Sequence, residues 1–427
     1  MHLAFILLVL LGWGYFGFYK RPFDLLFLAY ASATIYFMPG LVGYTNLPIG
    51  SGETWVETAV LPEAYGVFSL VMGGILLAAW LVDRTQTEAE RPSAWVIGVP
   101  SLWVLWVALL MGYLGFAMTL LQHGNALNLP KEEFMSGLSR WYLLGSETAI
   151  MSSLLAFLLR RWGLLLLALV LIAVDMYLGF RNSAAIAGLG IFLLWFRQKD
   201  PSRLFLRHLK PLLIGVPCAY ALFLYKQISV LIKVSNWDLL ADLLTNGDTY
   251  LFSLTRSEPF GTQTILNETL RAGFTVGPAH LFQALGSALP FYPVFFGQPT
   301  SFNDLFQQRL FPGTDYGMAN NIWAQMWSSG GWPLLGVFTI VYAFLLAWGT
   351  RQIKAQRSPV LLACAAHFWV YWAFYIHRND LVFQLYIQRR TLVYWGMAVL
   401  AAMLVQEGLK QLSIILPVAT DRTEFPY

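Results

Sequence analysis

Leu254-Thr255-Arg256-Ser257-Glu258-Pro259-Phe260 is the centre of a polar and aromatic stretch running from Gln227 to Gly331. Its exit reads Gly313-Thr314-Asp315-Tyr316-Gly317-Met318-Ala319-Asn320-Asn321-Ile322-Trp323-Ala324-Gln325-Met326-Trp327-Ser328-Ser329-Gly330-Gly331. On either side the chain is almost wholly apolar. Of 427 residues, 57% are hydrophobic and 12% charged, where a soluble domain carries about 25% charged side chains. Together with a mean hydropathy of +0.58, this composition reads as an all-α polytopic membrane protein. A connection between two membrane helices needs only a few residues, so a stretch of this length has a task. It is expected to roof a site for a negatively charged, lipid-linked substrate at the membrane surface.

Apolar runs near the ~20 residues that span a bilayer fall at about 2–19, 23–43, 64–82, 95–121, 141–159, 163–180, 182–196, 211–228, 331–349, 358–376 and 390–408. They predict about eleven transmembrane helices, with 163–196 readable as two short helices or as one broken hairpin. The chain divides into N-terminal membrane helices (1–228), one large loop (229–330), and C-terminal helices with a tail (331–427). The run at 2–19 lacks a basic leader and a small-residue cleavage site, so it reads as a retained helix. With Lys20 and Arg21 placed in the cytoplasm, alternation puts 16 lysines and arginines there and 11 on the other side. The short loops decide the orientation: Arg160-Arg161, Arg197 to Lys210 and Arg351 to Arg357 all fall inside. The large loop is then external. Within it Ile228 to Leu244 reads as an amphipathic helix lying on the membrane, and Gly261 to Gly273 as a second short helix.

Several polar groups stand out. Gly179-Phe180-Arg181-Asn182-Ser183 opens an apolar helix, and free helix N–H groups beside a guanidinium suit an anion; the plain alternative is a snorkelling arginine. Arg256 and Glu258 form a close charge pair in the loop, or simply a local salt bridge. Tyr375-Ile376-His377-Arg378-Asn379-Asp380 gathers polar side chains at a helix boundary, where His377 could act as a base. Arg181 and Arg378 sit at outer helix ends against the charge bias. Arg389-Arg390 reads as a pair of interfacial anchors, Arg390 above all. The net charge of +4 carries no nucleic-acid signal. Cys218 and Cys364 lie in apolar runs and make no disulfide framework. No D-x-D, H-E-x-x-H, G-x-S-x-G or P-loop pattern occurs, so no metal and no cofactor is expected. Charge on a phosphate leaving group would be balanced by arginines.

In layout the chain resembles the O-antigen and exopolysaccharide repeat-unit polymerases (Wzy-type), which are related in architecture to the O-antigen ligases. The resemblance rests on Gly179 to Ser183, the late outer loop with Arg256 near its middle, the exit Tyr316-Gly317, Asn320, Trp327 and Gly330-Gly331, and Arg378 between the last two helices. Two features depart from the family pattern. Arg-x10-Gly is missing, since Asn267 follows Arg256 by eleven residues and Asn320 follows Arg309 likewise. Gln325 stands where relatives often place a glutamate. The resemblance implies a GT-C-like membrane glycosyltransferase in a bacterial inner membrane, facing the periplasm. It would join undecaprenyl-pyrophosphate-linked oligosaccharide repeats, with a chain-length regulator as a further partner. Arg181, Arg256 and Arg378 would hold the pyrophosphate, and His377 or Glu258 would orient or deprotonate the acceptor. Arg271, Arg309, Tyr316, Asn320 and Arg389 would help bind substrate. The alternatives are a ligase, which shares every readable feature, and a lipid-oligosaccharide flippase. The latter is disfavoured because charges inside the helices are not evident in the sequence.

Overall fold

The described part of each of these apolar runs is largely helical in the computed structural model, which describes residues 1–50, 54–85, 99–124, 139–199, 201–233, 235–246, 257–289, 291–314 and 317–415. The order is α1 (His2–Phe18), α2 (Leu25–Tyr36), α3 (Met38–Val42), a hairpin of β1 (Tyr44–Ile49) and β2 (Thr54–Ala59), α4 (Pro62–Thr85), α5 (Ser101–His123), α6 (Arg140–Leu158), α7 (Trp162–Tyr177), α8 (Asn182–Arg197), α9 (Leu204–Arg207) and α10 (Leu209–Lys233). The loop region holds α11 (Trp237–Thr245), α12 (Glu258–Arg271), α13 (Pro278–Gly286), α14 (Tyr292–Phe296) and α15 (Phe302–Leu310). Then come α16 (Ile322–Ala355), α17 (Pro359–Phe374) with a 3₁₀ turn at Tyr375–Arg378, and α18 (Leu381–Ile415).

Among the described residues, six helical stretches are long and apolar enough to cross a membrane: Pro62–Thr85, Ser101–His123, Arg140–Leu158, Ile322–Ala355, Pro359–Arg378 and Leu381–Gln411. Four more apolar helices are shorter, including α7 and α8 at 16 residues each. Sixteen residues make about 24 Å of helix, less than the ~30 Å hydrocarbon core. Among the described residues the architecture is that of an all-α polytopic membrane protein with one β-hairpin. The 163–196 region resolves into two helices. A turn closes α7 with Gly179 at φ +98° and the Phe180 N–H on the Asp175 carbonyl at 3.1 Å, the left-handed cap that glycine permits.

Two ends of the bundle can be read from the polar contacts. At one, Arg21 Nε donates to Asp83 at 2.9 Å, Arg197 to the Ile353 and Gln356 carbonyls at 2.7 and 2.6 Å, and Arg351 to Thr85 at 2.9 Å. These are residues that the charge alternation assigns to one side. At the other end Tyr36 stacks on His377 at 5.5 Å, and the loop helices gather. In between, α5 and α6 touch backbone to backbone: a Cβ on Gly115 would lie 2.6 Å from Gly145 N and 2.7 Å from the Trp141 carbonyl. Small residues at such crossings are how helices gain contact where lipid removes the hydrophobic drive.

The loop end differs in detail from the sequence expectation. No strand is expected between residues 43 and 64, yet β1 and β2 pair antiparallel there, Tyr44 opposite Ala59. The Ile228 to Leu244 helix is instead two pieces, because α10 runs on to Lys233 and α11 starts afresh at Trp237 after Ser235 at φ +53°. The expected Gly261 to Gly273 helix begins earlier, at Glu258. That helix, α12, is polar and yet buried along Thr262, Gln263, Thr264 and Asn267. Its side chains are spent on its neighbours. Thr264 donates to the Asn46 carbonyl at 2.9 Å, Asn267 accepts from Leu61 N at 2.9 Å and donates to the Ala59 carbonyl at 3.2 Å, and Asn321 donates to the Thr262 carbonyl at 2.8 Å. Burial of polar groups is tolerable where they are paired in this way, while Gln263 bonds only within its own helix, donating to Thr262 Oγ1 at 3.4 Å.

Helix α16 breaks at Gly330 and Gly331, where Gly331 has φ +62° and ψ −156°. Only glycine enters that region without strain. The break separates a buried turn under the loop, Ile322 to Ser329, from the long apolar span that follows. Gly331→Ala should therefore destabilise the protein by about 1–3 kcal/mol. Gly336→Ala, at an open helical position, should be neutral or mildly stabilising. Denaturant titration of both variants in detergent micelles checks this; equal behaviour of the two would remove the claim.

Candidate functional site

At the loop end three charged side chains from three distant parts of the chain meet. Arg181 caps the start of α8, Glu258 is the first residue of α12, and Arg378 closes the 3₁₀ turn after α17. The Glu258 carboxylate takes Arg181 Nη2 on Oε2 at 3.5 Å and Arg378 Nε on Oε1. The side chains of Arg181, Glu258 and Arg378 are 20%, 15% and 32% exposed, so the cluster is sheltered but open to a ligand. The Arg378 guanidinium lies 5.1 Å from the Tyr375 ring centroid, and its carbonyl accepts from Asn320 N at 3.0 Å. Glu258 also gains from its place at a helix N-terminus, where the backbone dipoles favour negative charge.

A closed polar network lies directly behind. Asn182 donates to Tyr371 Oη at 3.2 Å, and Tyr371 donates to Glu147 at 3.4 Å. Glu147, 1% exposed, is gripped by Arg390 through Nε at 2.9 Å and through Nη2, and accepts from Thr391 at 3.2 Å. His367 Nε2 is 3.3 Å away, while Trp395 donates to its Nδ1 at 3.2 Å. A second buried carboxylate, Asp175, accepts from Tyr142 at 2.6 Å, from Ser146 at 3.3 Å and from Ser183.

These positions correct several sequence expectations. His377 is fully buried in a box of Tyr36, Phe37, Trp323 and Tyr342, and its Nδ1 accepts the Trp323 indole N–H at 3.1 Å. Its one free lone pair is taken, so it cannot serve as the base. Arg271 sits at the far end of α12, some 20 Å of helix from Glu258, paired with Glu268 at 2.9 Å. Arg309 is exposed on the last turn of α15, 5.9 Å from the Phe274 ring. Arg389 is a clamp on the loop backbone, donating to the Ser287 and Leu289 carbonyls at 2.9 and 2.8 Å. Arg390 is no interfacial anchor, since it is the counter-ion of Glu147. Asn320 does adjoin Arg378. Arg256 and Tyr316 lie outside the described residues.

Gln325 also finds a role. Fully buried, it contacts His280 at 3.0 Å and accepts from Leu381 N at 2.8 Å, so it braces α13 and the start of α18. Glu147 and Asp175 are missed by the sequence reading, although an acid inside an apolar run is itself a signal. Among the described residues no three His, Cys, Asp or Glu side chains group closely enough to hold a metal ion. No protein-family model matches the chain, and neither a curated protein nor a solved structure matches it.

The Glu147–Arg390 pair generates a stability test. Breaking a buried pair by removing one partner costs about 3–5 kcal/mol, because the other charge is stranded. Glu147→Ala should show a loss of that size in equilibrium unfolding in mixed micelles. Glu147→Leu/Arg390→Met should recover most of it. A double variant as unstable as the sum of its singles would mean the charges are not coupled.

Proposed function

We propose that the chain is a membrane glycosyltransferase that joins lipid-linked oligosaccharide repeat units, with Arg181 and Arg378 holding the pyrophosphate of the donor as it leaves. The observation that carries this reading is the convergence of two guanidinium groups on one carboxylate, at the end of an apolar bundle and beneath a polar loop. A pyrophosphate carries more negative charge than one guanidinium can pair, and bidentate guanidinium contacts fit its oxygens. Glu258 occupies the anionic position between them; diphosphate oxygens entering there take over both arginines and release the carboxylate. In the reaction an acceptor hydroxyl oxygen bonds to the donor sugar C1 as the C1–O bond to pyrophosphate breaks. The electron pair leaves with the pyrophosphate, balanced by the arginines, and Glu258 takes the hydroxyl proton.

The orientation belongs to the same proposal. The end opposite the site carries Arg160-Arg161, Arg197, Arg203, Arg207, Arg351 and Arg357, the bias of a cytoplasmic face. This bias supports a site on the periplasmic side of a bacterial inner membrane, and the same reading takes eleven crossings and an undecaprenyl-pyrophosphate-linked oligosaccharide as substrate. A ligase moving glycan to another acceptor would use the same cluster. A flippase is favoured by one observation, the charges buried inside the bundle at Glu147, Arg390 and Asp175. These overturn the expectation that the helices carry none.

Arg181→Ala and Arg378→Ala should each slow chain elongation by about 10²-fold or more, with the double variant falling well short of the product, because groups serving one leaving group are not additive. The assay is elongation of a purified lipid-linked repeat unit, paired with the glycan profile of cells. Single repeat units transferred without elongation mark a polymerase defect, and complete loss of transfer marks a ligase. Repeat units trapped on the side away from the site mark a transporter. Full elongation by either alanine variant would sink the pyrophosphate assignment.

A further inference from the structure

Between Arg271 and Asp304 the chain has no Asp, Glu, Lys or Arg. Such an uncharged run is unexpected in a segment that belongs to a polar loop. Within it α13 and α14 present Phe282, Leu285, Leu289, Phe291, Val294, Phe295 and Phe296 outward, each between 49% and 77% exposed. Soluble surfaces rarely hold so many large apolar side chains side by side. The opposite face of α13 is fixed: Ala284 and His280 are buried, and His280 meets Gln325. Gly286 admits the Tyr292 ring, which a Cβ there would meet at 2.3 Å, so the two helices fold against each other as an elbow.

We propose that residues 278–296 form an elbow inserted into the bilayer on the loop side, its outward face covered by phospholipid acyl chains. Three observations beyond exposure point to lipid. First, the elbow adjoins a membrane span. Helix α13 packs against α18, whose own outward row includes Phe383, Leu392, Val393 and Leu400. Second, the backbone at the end of α13 is satisfied as a low-dielectric medium demands. Arg389 takes the Ser287 and Leu289 carbonyls at the end of α13, and the N–H groups of Ser287, Ala288 and Leu289 bond within the turn. Pro293 and Pro299 bring no N–H that would need a partner. Third, Arg389 lies eight residues into α18, about 12 Å below its first turn. The clamped carbonyls are thus held alongside the span and not above it. This inference is independent of the glycosyl-transfer reading, since it concerns the same protein whatever the site does.

The test uses the full-length chain, Cys218→Ala/Cys364→Ala, in nanodiscs of phospholipid alone. Nitroxide labels on Phe282→Cys and Phe295→Cys should collide with oxygen more often than with a water-soluble nickel chelate, as a label on Leu400→Cys in α18 should. A label on exposed Thr300→Cys should show the reverse. Water-like behaviour at Phe282 and Phe295 overturns the proposal. So does spin–spin broadening between copies, which would mean a second chain covers the face. Lipid-like behaviour appearing only after an isoprenoid phosphate is added also overturns it. As a check that leaves both cysteines in place, p-benzoylphenylalanine at Phe295 should photocrosslink to phospholipid. Capture of another copy in its stead would count against the elbow.

Discussion

The Glu258 carboxylate between Arg181 and Arg378 is the contact on which the loop end depends. Two guanidinium groups held close in a sheltered place repel one another unless an anion lies between them. Glu258 is that anion only because α12 begins where it does. The helix is in turn fixed by Thr264 and Asn267 on the hairpin and by Asn321 on the Thr262 carbonyl. The polarity of α12 is what allows it to act as a pedestal: an apolar helix would have no directional bonds with which to set the height and rotation of its first residue. From hairpin to helix to carboxylate to arginines, each step is a paired polar group in a poorly solvated place.

Three of the buried or half-buried carboxylates, Glu147, Asp175 and Glu258, meet three different compensations, and the differences distinguish a structural brace from a candidate site. Glu147 is closed off, held by Arg390, Thr391 and Tyr371 at 1% exposure. Any ligand reaching it would have to dismantle three helices' worth of contacts, so it serves as a brace. Asp175 is satisfied by hydroxyls alone, which steadies the turn before Arg181. Glu258 is the one of these three whose two partners are both at least 20% exposed. Its bonds can be exchanged for those of an incoming anion with little rearrangement of the fold. Exchangeability, and not the mere presence of charge, is what makes the cluster a candidate site.

The helical runs were legible in the sequence because a membrane helix satisfies its own backbone and is written as a single apolar word. Arg181 and Arg378 stand out in the sequence as cations at helix boundaries against the charge bias, and the structure brings both to Glu258. What was hidden depends on long-range pairing. Nothing local tells that Glu147, inside one apolar run, faces Arg390, 243 residues later, or that Arg390 differs from its neighbour Arg389. His377 looked like a base because its neighbours in sequence are polar; its neighbours in space are four rings. The hairpin was lost because Tyr44 to Ala59 carries no strong alternation and pairs partly through its contact with α12. Loop composition as a whole concealed an uncharged run that only its exposure in the fold makes unusual.

The elbow and the arginine cluster are mechanically joined, and the joint is Asp380. Its carboxylate accepts from Phe302 N at 2.7 Å and Ser301 Oγ at 3.0 Å, and from Phe383 N at 2.7 Å. It therefore pins the strand returning from the elbow to the start of α18, two residues past Arg378. Asn320 adds a second tie, giving Nδ2 to Ser301 at 3.4 Å and its backbone N–H to the Arg378 carbonyl at 3.0 Å. A segment seated in the lipid surface would thus be linked through the two bonds to Asp380 and the Asn320 tie to the backbone that carries Arg378. For a substrate with a lipid tail and a charged head, that geometry has a physical merit. The depth at which the tail lies in the bilayer and the height at which the head meets the arginines are set by one rigid connection. Flexible linkage between the two would let the charged group sample positions that the arginines cannot reach.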